Sequence, residues 1–249
     1  MPSLKRKFAD IIGRVLGAYI IPFGRVGDWV ENRFIGKLLS ELEVDCVFDV
    51  GANKGQFGQL LRLSGFRGNI LSFEPGLVAF TQLQDVAQRD GKWHAFNLAL
   101  GETEGTLPLH VMRDDVFSSF RMPTQDEDQA FGNENQVETI VEVDIRRIKD
   151  LYDDLVLRFG FARPFLKLDT QGFDLEIIRG AGQRLDHFVG LSSEIAVRRL
   201  YVGSPTMAQS IQAISETGFD FVNLLPVHPD RLLNPLEFNS YAVRRDLMN

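Results

Sequence analysis

One cysteine in 249 residues, Cys46, leaves no partner for an intramolecular disulfide and too few thiolates for a zinc or iron–sulfur centre. No run approaches 18 consecutive apolar residues, so nothing reads as a transmembrane segment. Basic residues are in deficit: 27 Lys and Arg face 34 Asp and Glu, a net charge of −7. Proteins that bind nucleic acid carry a basic footprint, so no nucleic-acid partner is expected. Internal repeats and a linker that would mark a second substrate domain are also missing. What is present is ordinary globular composition, 44% hydrophobic and 24% charged, in a chain long enough to bury a sizeable core. Cysteine poverty and the missing span together point to a cytoplasmic protein.

The first residues differ from the rest. Residues 1–27 carry a net charge of +4, and Leu4, Phe8, Ile11, Ile12, Val15 and Leu16 recur at helical spacing. A basic amphipathic helix of this kind can touch a membrane surface. The expectation here is an N-terminal helical cap over residues 1–43, packed on the main domain or covering its substrate cleft. Arg14, Gly17 and Pro22 interrupt the apolar run Val15–Phe23, which argues against a signal peptide.

From residue 44 to 249 the chain alternates strand and helix patterns. Cys46–Val50, Asn69–Phe73 and Trp93–Leu100 read as strands, with helices over Gly55–Ser64 and Leu77–Gln88. That βαβαβ order predicts a doubly wound α/β sheet, mostly parallel, with helices on both faces. Leu107–Met112 and Gln136–Val143 are further strands flanking an insert, residues 113–135, with six acidic and two basic residues. An unpatterned stretch of that length suggests a loop over the site. Phe165–Leu168 and Val189–Ser193 follow as strands, Leu175–Gly182 and Met207–Thr217 as helices, and Phe219–Leu225 and Phe238–Val243 as a closing strand pair.

Ligands of open parallel sheets bind beyond the carboxyl ends of the strands. Carboxylates gather there: Asp49 before a glycine loop, Glu74, Asp169 and Glu194. The loop Asp49-Val50-Gly51-Ala52-Asn53-Lys54-Gly55 has glycines for a tight turn and close ligand approach. Asn53 stands where the dinucleotide fingerprint needs its second glycine, and no Lys-Ser/Thr ending makes it a phosphate loop. An acidic residue before the loop repels pyrophosphate and attracts an ammonium group, which points to S-adenosylmethionine. Glu74, 25 residues later, is placed to take both ribose hydroxyls. An NAD-dependent oxidoreductase and a non-catalytic adenosyl-binding module remain rivals at this stage.

Four ordered motifs carry a resemblance: Phe48-Asp49-Val50-Gly51-Ala52-Asn53-Lys54-Gly55, Phe73-Glu74-Pro75, Asn97-Leu98-Ala99-Leu100-Gly101, and Leu166-Lys167-Leu168-Asp169-Thr170-Gln171-Gly172-Phe173-Asp174. Over about residues 44–245 the chain resembles the FkbM family of class I, Rossmann-like S-adenosylmethionine-dependent methyltransferases. The resemblance implies a seven-stranded sheet with an antiparallel last strand, and O-methylation of sugar hydroxyls or of secondary hydroxyls on natural products. Family sequences often carry Val-Glu-Gly where this chain has Thr170-Gln171-Gly172, one negative charge fewer.

The expected cofactor contacts are Asp49, Gly51, Ala52, Asn53, Gly55, Glu74, Pro75, Ala99 and Ser118, with the Ser118-Ser119 hydroxyls set between Phe117 and Phe120. Asp169, Glu194 and His228 are the catalytic candidates. His228 lies in the loop after the strand Phe219–Leu225, and a neutral imidazole suits removal of a hydroxyl proton. The same three residues form an oxygen-rich set for a divalent metal, although no spacing diagnoses one. Lys167 alternates with Leu166 and Leu168 and either pairs with a carboxylate or extends along apolar surface. His94 and His110 read as structural and His187 as solvated. The acceptor is expected to be a carbohydrate or glycosylated product, with a polyketide or lipid aglycone as the alternative.

Overall fold

The computed structural model describes residues 26–124, 134–227, 231 and 233–248. The amphipathic stretch within residues 4–16, the middle of the insert and His228 fall outside the described residues.

Seven strands form the main sheet: β1 (Cys46–Val50), β2 (Asn69–Phe73), β3 (Trp93–Phe96), β7 (Pro164–Leu168), β8 (Gly190–Ala196), β9 (Phe219–Pro226) and β10 (Glu237–Arg244). Their order is β3-β2-β1-β7-β8-β10-β9, parallel except for β10, which runs antiparallel to both of its neighbours. This is the mostly parallel, seven-stranded α/β sheet that the resemblance implies, with the switch point between β1 and β7. All five residues of β1 and of β7 are buried, which is why those segments read as continuous apolar runs rather than as alternation. Helices α2 (Gln56–Ser64), α3 (Leu77–Ala87), α4 (Ile148–Phe159), α5 (Asp174–Ala181) and α6 (Met207–Glu216) connect the strands.

Two cores lie on the two faces. On one, Phe48 packs against Phe73, Tyr152, Phe161 and Phe188, with ring centroids 5.1–6.4 Å apart. Burying each such ring contributes about 1.5–3 kcal/mol. On the other, α1 (Val26–Glu41) sets Ile35 and Leu39 against a cluster that includes Val47, Ile70 and Phe165. Among the described residues no helix is long and apolar enough to cross a membrane.

The structure corrects the expected third strand. Trp93–Leu100 is two strands, because Asn97 donates its side-chain amide to the carbonyls of Glu74 and Pro75 and turns the chain away. The second piece, β4 (Ala99–Leu100), joins β5 (Gly105–Met112) and β6 (Val137–Arg146) in a separate three-stranded sheet of order β4-β6-β5. Helix α4 has no counterpart in the expected elements.

Candidate active site

A cavity of about 540 Å³ opens where β1 and β7 diverge. That volume is in the range of small-molecule sites. Its floor is the turn after β1. Gly51 has φ +72°, and a Cβ there would sit 1.9 Å from the Asp169 carbonyl oxygen, so only glycine lets the β1 and β7 turns touch. Asn53 is also left-handed, at φ +46°.

The loop and Glu74 are built as one unit. The Asn53 amide donates to Glu74 Oε2 at 2.8 Å, and the Gly76 amide donates to Oε1 at 2.7 Å. Each carboxylate oxygen keeps lone pairs for an incoming hydroxyl. Burial pushes the Glu74 carboxyl up to about 7, against the two backbone amides that favour the charge. Of the residues named in sequence as cofactor contacts, Gly51, Ala52, Asn53, Glu74, Pro75, Ala99 and Ser118 line the cavity.

Two expected contacts do not. Asp49 is fully buried beneath the loop, where it accepts from Ser72 Oγ at 3.0 Å and pairs with Lys167 Nζ at 3.2 Å. The ammonium that Asp49 attracts is therefore the protein's own. Lys167 also lies 3.4 Å from Asp169 and donates to the Gly51 carbonyl at 3.2 Å. Burial works against its charge, but Asp169 and Asp49 outweigh it and hold its pKa above the usual lysine value. Gly55 faces Leu83 and Trp93, each 3.0 Å from where a Cβ would stand, so it serves the packing of α2 rather than a ligand.

At the other end of the cavity stand Asp169, immediately after β7, and Glu194. Glu194 is not a strand end, since β8 continues to Ala196. Its pKa lies well above the usual carboxylate value because of burial, followed by the Glu237, Asp169 and Asp174 carboxylates. Asp174 bonds the Ser193 hydroxyl at 2.6 Å and the Glu194 amide at 3.2 Å. His228 cannot be placed in this group. Among the described residues no group of three His, Cys, Asp or Glu side chains is arranged to hold a metal.

Several lining residues had no assigned role from sequence. Glu31, Asn32 and Ile35 of α1, and Asn239 and Tyr241 of β10, close the wall beside Glu194. Glu31 Oε1 accepts from Asn239 Nδ2 at 2.7 Å and from the Tyr241 hydroxyl at 2.6 Å. The start of the insert lies over the cavity: Asp115 pairs with Lys54 at 2.8 Å and accepts from Asn53 Nδ2 at 3.1 Å, and Ser119 Oγ donates to the Gln171 carbonyl at 2.9 Å. No motif announces a wall drawn from both ends of the chain.

Residues 49–221 match the family model described as the methyltransferase FkbM domain. The chain belongs to that family. It is a methyltransferase whose methyl donor is S-adenosylmethionine, and the oxidoreductase alternative falls away. No curated protein matches the chain. Solved structures with a similar fold include magnesium protoporphyrin IX methyltransferase from Synechocystis PCC 6803 with bound cofactor, 13% identical at TM-score 0.48, covering 94% of this chain and 90% of that one. Another is Aeropyrum pernix fibrillarin with natively bound S-adenosyl-L-methionine, 14% identical at TM-score 0.47 over 86% and 74% of the two chains. A third is a methyltransferase structure from Listeria monocytogenes, described as a putative S-adenosylmethionine-dependent enzyme, 11% identical at TM-score 0.48 over 88% and 98%.

The FkbM-domain chain fits its cofactor chemically. Glu74 presents a carboxylate braced by two amides at one end of the cavity, and the carboxylates of Asp115, Asp169 and Glu194 also line it, suiting a ligand with a positive sulfur and an ammonium group.

Proposed function

We propose that this enzyme methylates a hydroxyl of a carbohydrate or glycosylated natural product, in the cytoplasm. The observation that carries the proposal is the polar wall opposite Glu74, where Glu31, Asn32, Gln171, Ser192, Glu194 and Asn239 line the acceptor half. A polyhydroxylated ring can satisfy such donors and acceptors. An apolar aglycone would desolvate the donors and acceptors that these residues do not already spend on one another, at about 1–3 kcal/mol for each group left unpaired. The net charge of −7 favours a small-molecule or glycan acceptor over a nucleic acid.

Gly51, Ala52, Asn53, Glu74, Pro75, Ala99 and Ser118 would hold the cofactor, with Glu74 accepting from the ribose hydroxyls. Bound there, S-adenosylmethionine supplies an electrophilic methyl group on a sulfonium. Asp169, half-exposed at the cavity edge, accepts the proton of the attacking hydroxyl. Lys167 holds that carboxylate in place at 3.4 Å. Glu194 orients the acceptor by a further hydrogen bond, and His228 stands as the second candidate base. Alignment of the hydroxyl with the methyl carbon is the main contribution of the polar wall.

The test is a mass-spectrometric screen of nucleotide sugars, oligosaccharides, glycosides and apolar aglycones, with cofactor supplied. A gain of one methylene confined to glycan or glycoside pools is expected. Gain only on aglycones would overturn the acceptor class and leave the methyltransferase assignment standing.

A further inference from the structure

The Thr170-Gln171-Gly172 turn holds a residue that the proton-transfer scheme does not use. Gln171 is not glycine, yet its backbone is left-handed at φ +52°. Few residues adopt that conformation without support. Here the support comes from the insert. Ser119 Oγ donates to the Gln171 carbonyl at 2.9 Å, and Arg121 Nε donates to the Gly172 carbonyl at 3.0 Å while pairing with Glu176 at 2.7 Å. The turn directs the Gln171 side chain into the cavity, between the two carboxylates at its acceptor end.

We propose that Gln171 is the positioning residue of the reaction centre: its amide nitrogen bridges Asp169 and Glu194, fixing their separation and their aim into the acceptor half. Nε2 lies 3.3 Å from Asp169 Oδ1 and 3.3 Å from Glu194 Oε2, one hydrogen for each. The Tyr201 hydroxyl has two acceptors, Gln171 Oε1 at 2.7 Å and the Phe117 carbonyl at 3.2 Å, and the shorter contact to Oε1 sets the orientation of the amide. An inverted amide would turn its oxygen against two carboxylates. Glutamine is the one side chain of this length that both accepts from Tyr201 and donates twice. Glutamate in its place would set a third carboxylate against the pair, and leucine would leave Asp169 to Lys167 alone and take the bridging donor from Glu194.

The charges around the pair make the bridge necessary. Asp169 has Lys167 on one side, at 3.4 Å. Glu194 meets the fields of Glu237 from β10, Asp169 from the end of β7 and Asp174 from α5, with Lys167 as the opposing cation. Asp49 of β1 takes part of the Lys167 charge. Without the amide, repulsion from these neighbours would either spread the two groups or load a proton onto Glu194, and both would undo their shared aim into the acceptor half. The inference rests on the proposed reaction centre, but its test uses neither acceptor nor turnover.

The full chain, labelled with ¹⁵N-glutamine and free of ligand, is examined by NMR, with the Gln171 side-chain amide assigned by its loss in Q171E. Slow exchange with water is expected for both amide protons, and D169N and E194Q should each displace one of the two signals. Y201F, which keeps both carboxylates, should speed the exchange. As a rescue, Q171E should lower the thermal midpoint by at least about 2–4 °C, and Q171E/E194Q should recover part of it, since the carboxylate at 171 then faces Asp169 alone and an amide in place of Glu194. Signals that stay in place in both D169N and E194Q would overturn the proposal. So would a Q171E/E194Q protein no more stable than Q171E. Should Q171E fail to fold, the remaining variants still decide the matter, with Q171L supplying the assignment. A failed acceptor screen leaves these spectra just as readable, so the two proposals can fail separately.

Discussion

The two ends of the cavity are made differently. The proposed nucleoside end is backbone work: a glycine turn, two amides on one carboxylate, and chain segments 51–53, 74–76 and 97–100 that are each short and continuous. The proposed acceptor end is side-chain work, assembled from α1, the turn after β7, β8 and β10. A constant ligand can be gripped by backbone, whose geometry depends little on neighbouring side chains. The proposed acceptor is met by side chains, which can be exchanged without disturbing the sheet. If that contrast is correct, substitutions at one end should alter affinity and at the other turnover.

The largest expected effect is on turnover. Asp169→Asn should slow saturated transfer by about 10²–10⁴ while calorimetric affinity for S-adenosylhomocysteine changes by less than about tenfold. His228→Ala is the companion measurement. An equal loss there makes the imidazole a partner in proton removal, and no loss leaves Asp169 as the base. Loss of cofactor affinity in Asp169→Asn would break the division between the two ends.

Beneath both ends lies the Lys167–Asp49 pair. Lys167→Met should destabilise the fold by about 3–5 kcal/mol, because it leaves the fully buried Asp49 charge uncompensated. Lys167→Met with Asp49→Asn should regain part of that in chemical denaturation. No regain would mean that Lys167 acts chiefly through Asp169 and the Gly51 carbonyl.

Glu74→Ala should weaken S-adenosylhomocysteine binding by about 1.5–3 kcal/mol through lost charged hydrogen bonds, with turnover at saturating cofactor near normal. Acid should act on the same group more gently. With its carboxyl raised to about 7, Glu74 is protonated at pH 6 and ionised at pH 8, so affinity should fall up to about tenfold between pH 8 and pH 6. Stability moves in the opposite direction. A carboxyl raised from 4.5 to about 7 contributes most below the lower value, and that contribution is lost as pH climbs through the upper one. A pH-independent dissociation constant would remove Glu74 from the ribose contact.

The smallest effect concerns the insert. Asp115→Ala removes a partly exposed pair with Lys54 and should cost at most about 1 kcal/mol. Hydrogen exchange over residues 113–124 should nevertheless quicken, and in the unsubstituted chain it should slow when S-adenosylhomocysteine and acceptor are both present. Unchanged exchange would make the insert a fixed wall instead of a cover.

The contrast also explains what could be read in the sequence. Strands β1, β2 and β7 were legible to the residue or nearly so, because burial on both faces writes itself as an apolar run bounded by glycine or a carboxylate. Helix α4 carried a signal in Ile148, Tyr152 and Leu155, buried at helical spacing, but four acidic or basic residues within Lys149–Asp154 obscured it. The break at Asn97 could not be seen, since it depends on two carbonyls more than twenty residues away. Glu74 and the loop were legible as a spaced motif. Lys167 could be placed on the opposite face from Leu166 and Leu168, yet its choice of Asp49 needed the pairing of β1 with β7. Gln171 stood out in sequence as one charge fewer than the family pattern. Its bridge became visible only once Tyr201, thirty residues on, was brought to its oxygen.

The hydrogen bonds from Asn239 and Tyr241 to Glu31 span 208 and 210 residues. A ribosome making this protein therefore finishes the nucleoside loop long before the opposing wall can exist. β10, which enters the sheet between β8 and β9, leaves the exit tunnel after the six other strands of that sheet. Until β10 has joined the sheet, the wall that Asn239 and Tyr241 complete against Glu31 stays open, and the proposed acceptor half is unfinished.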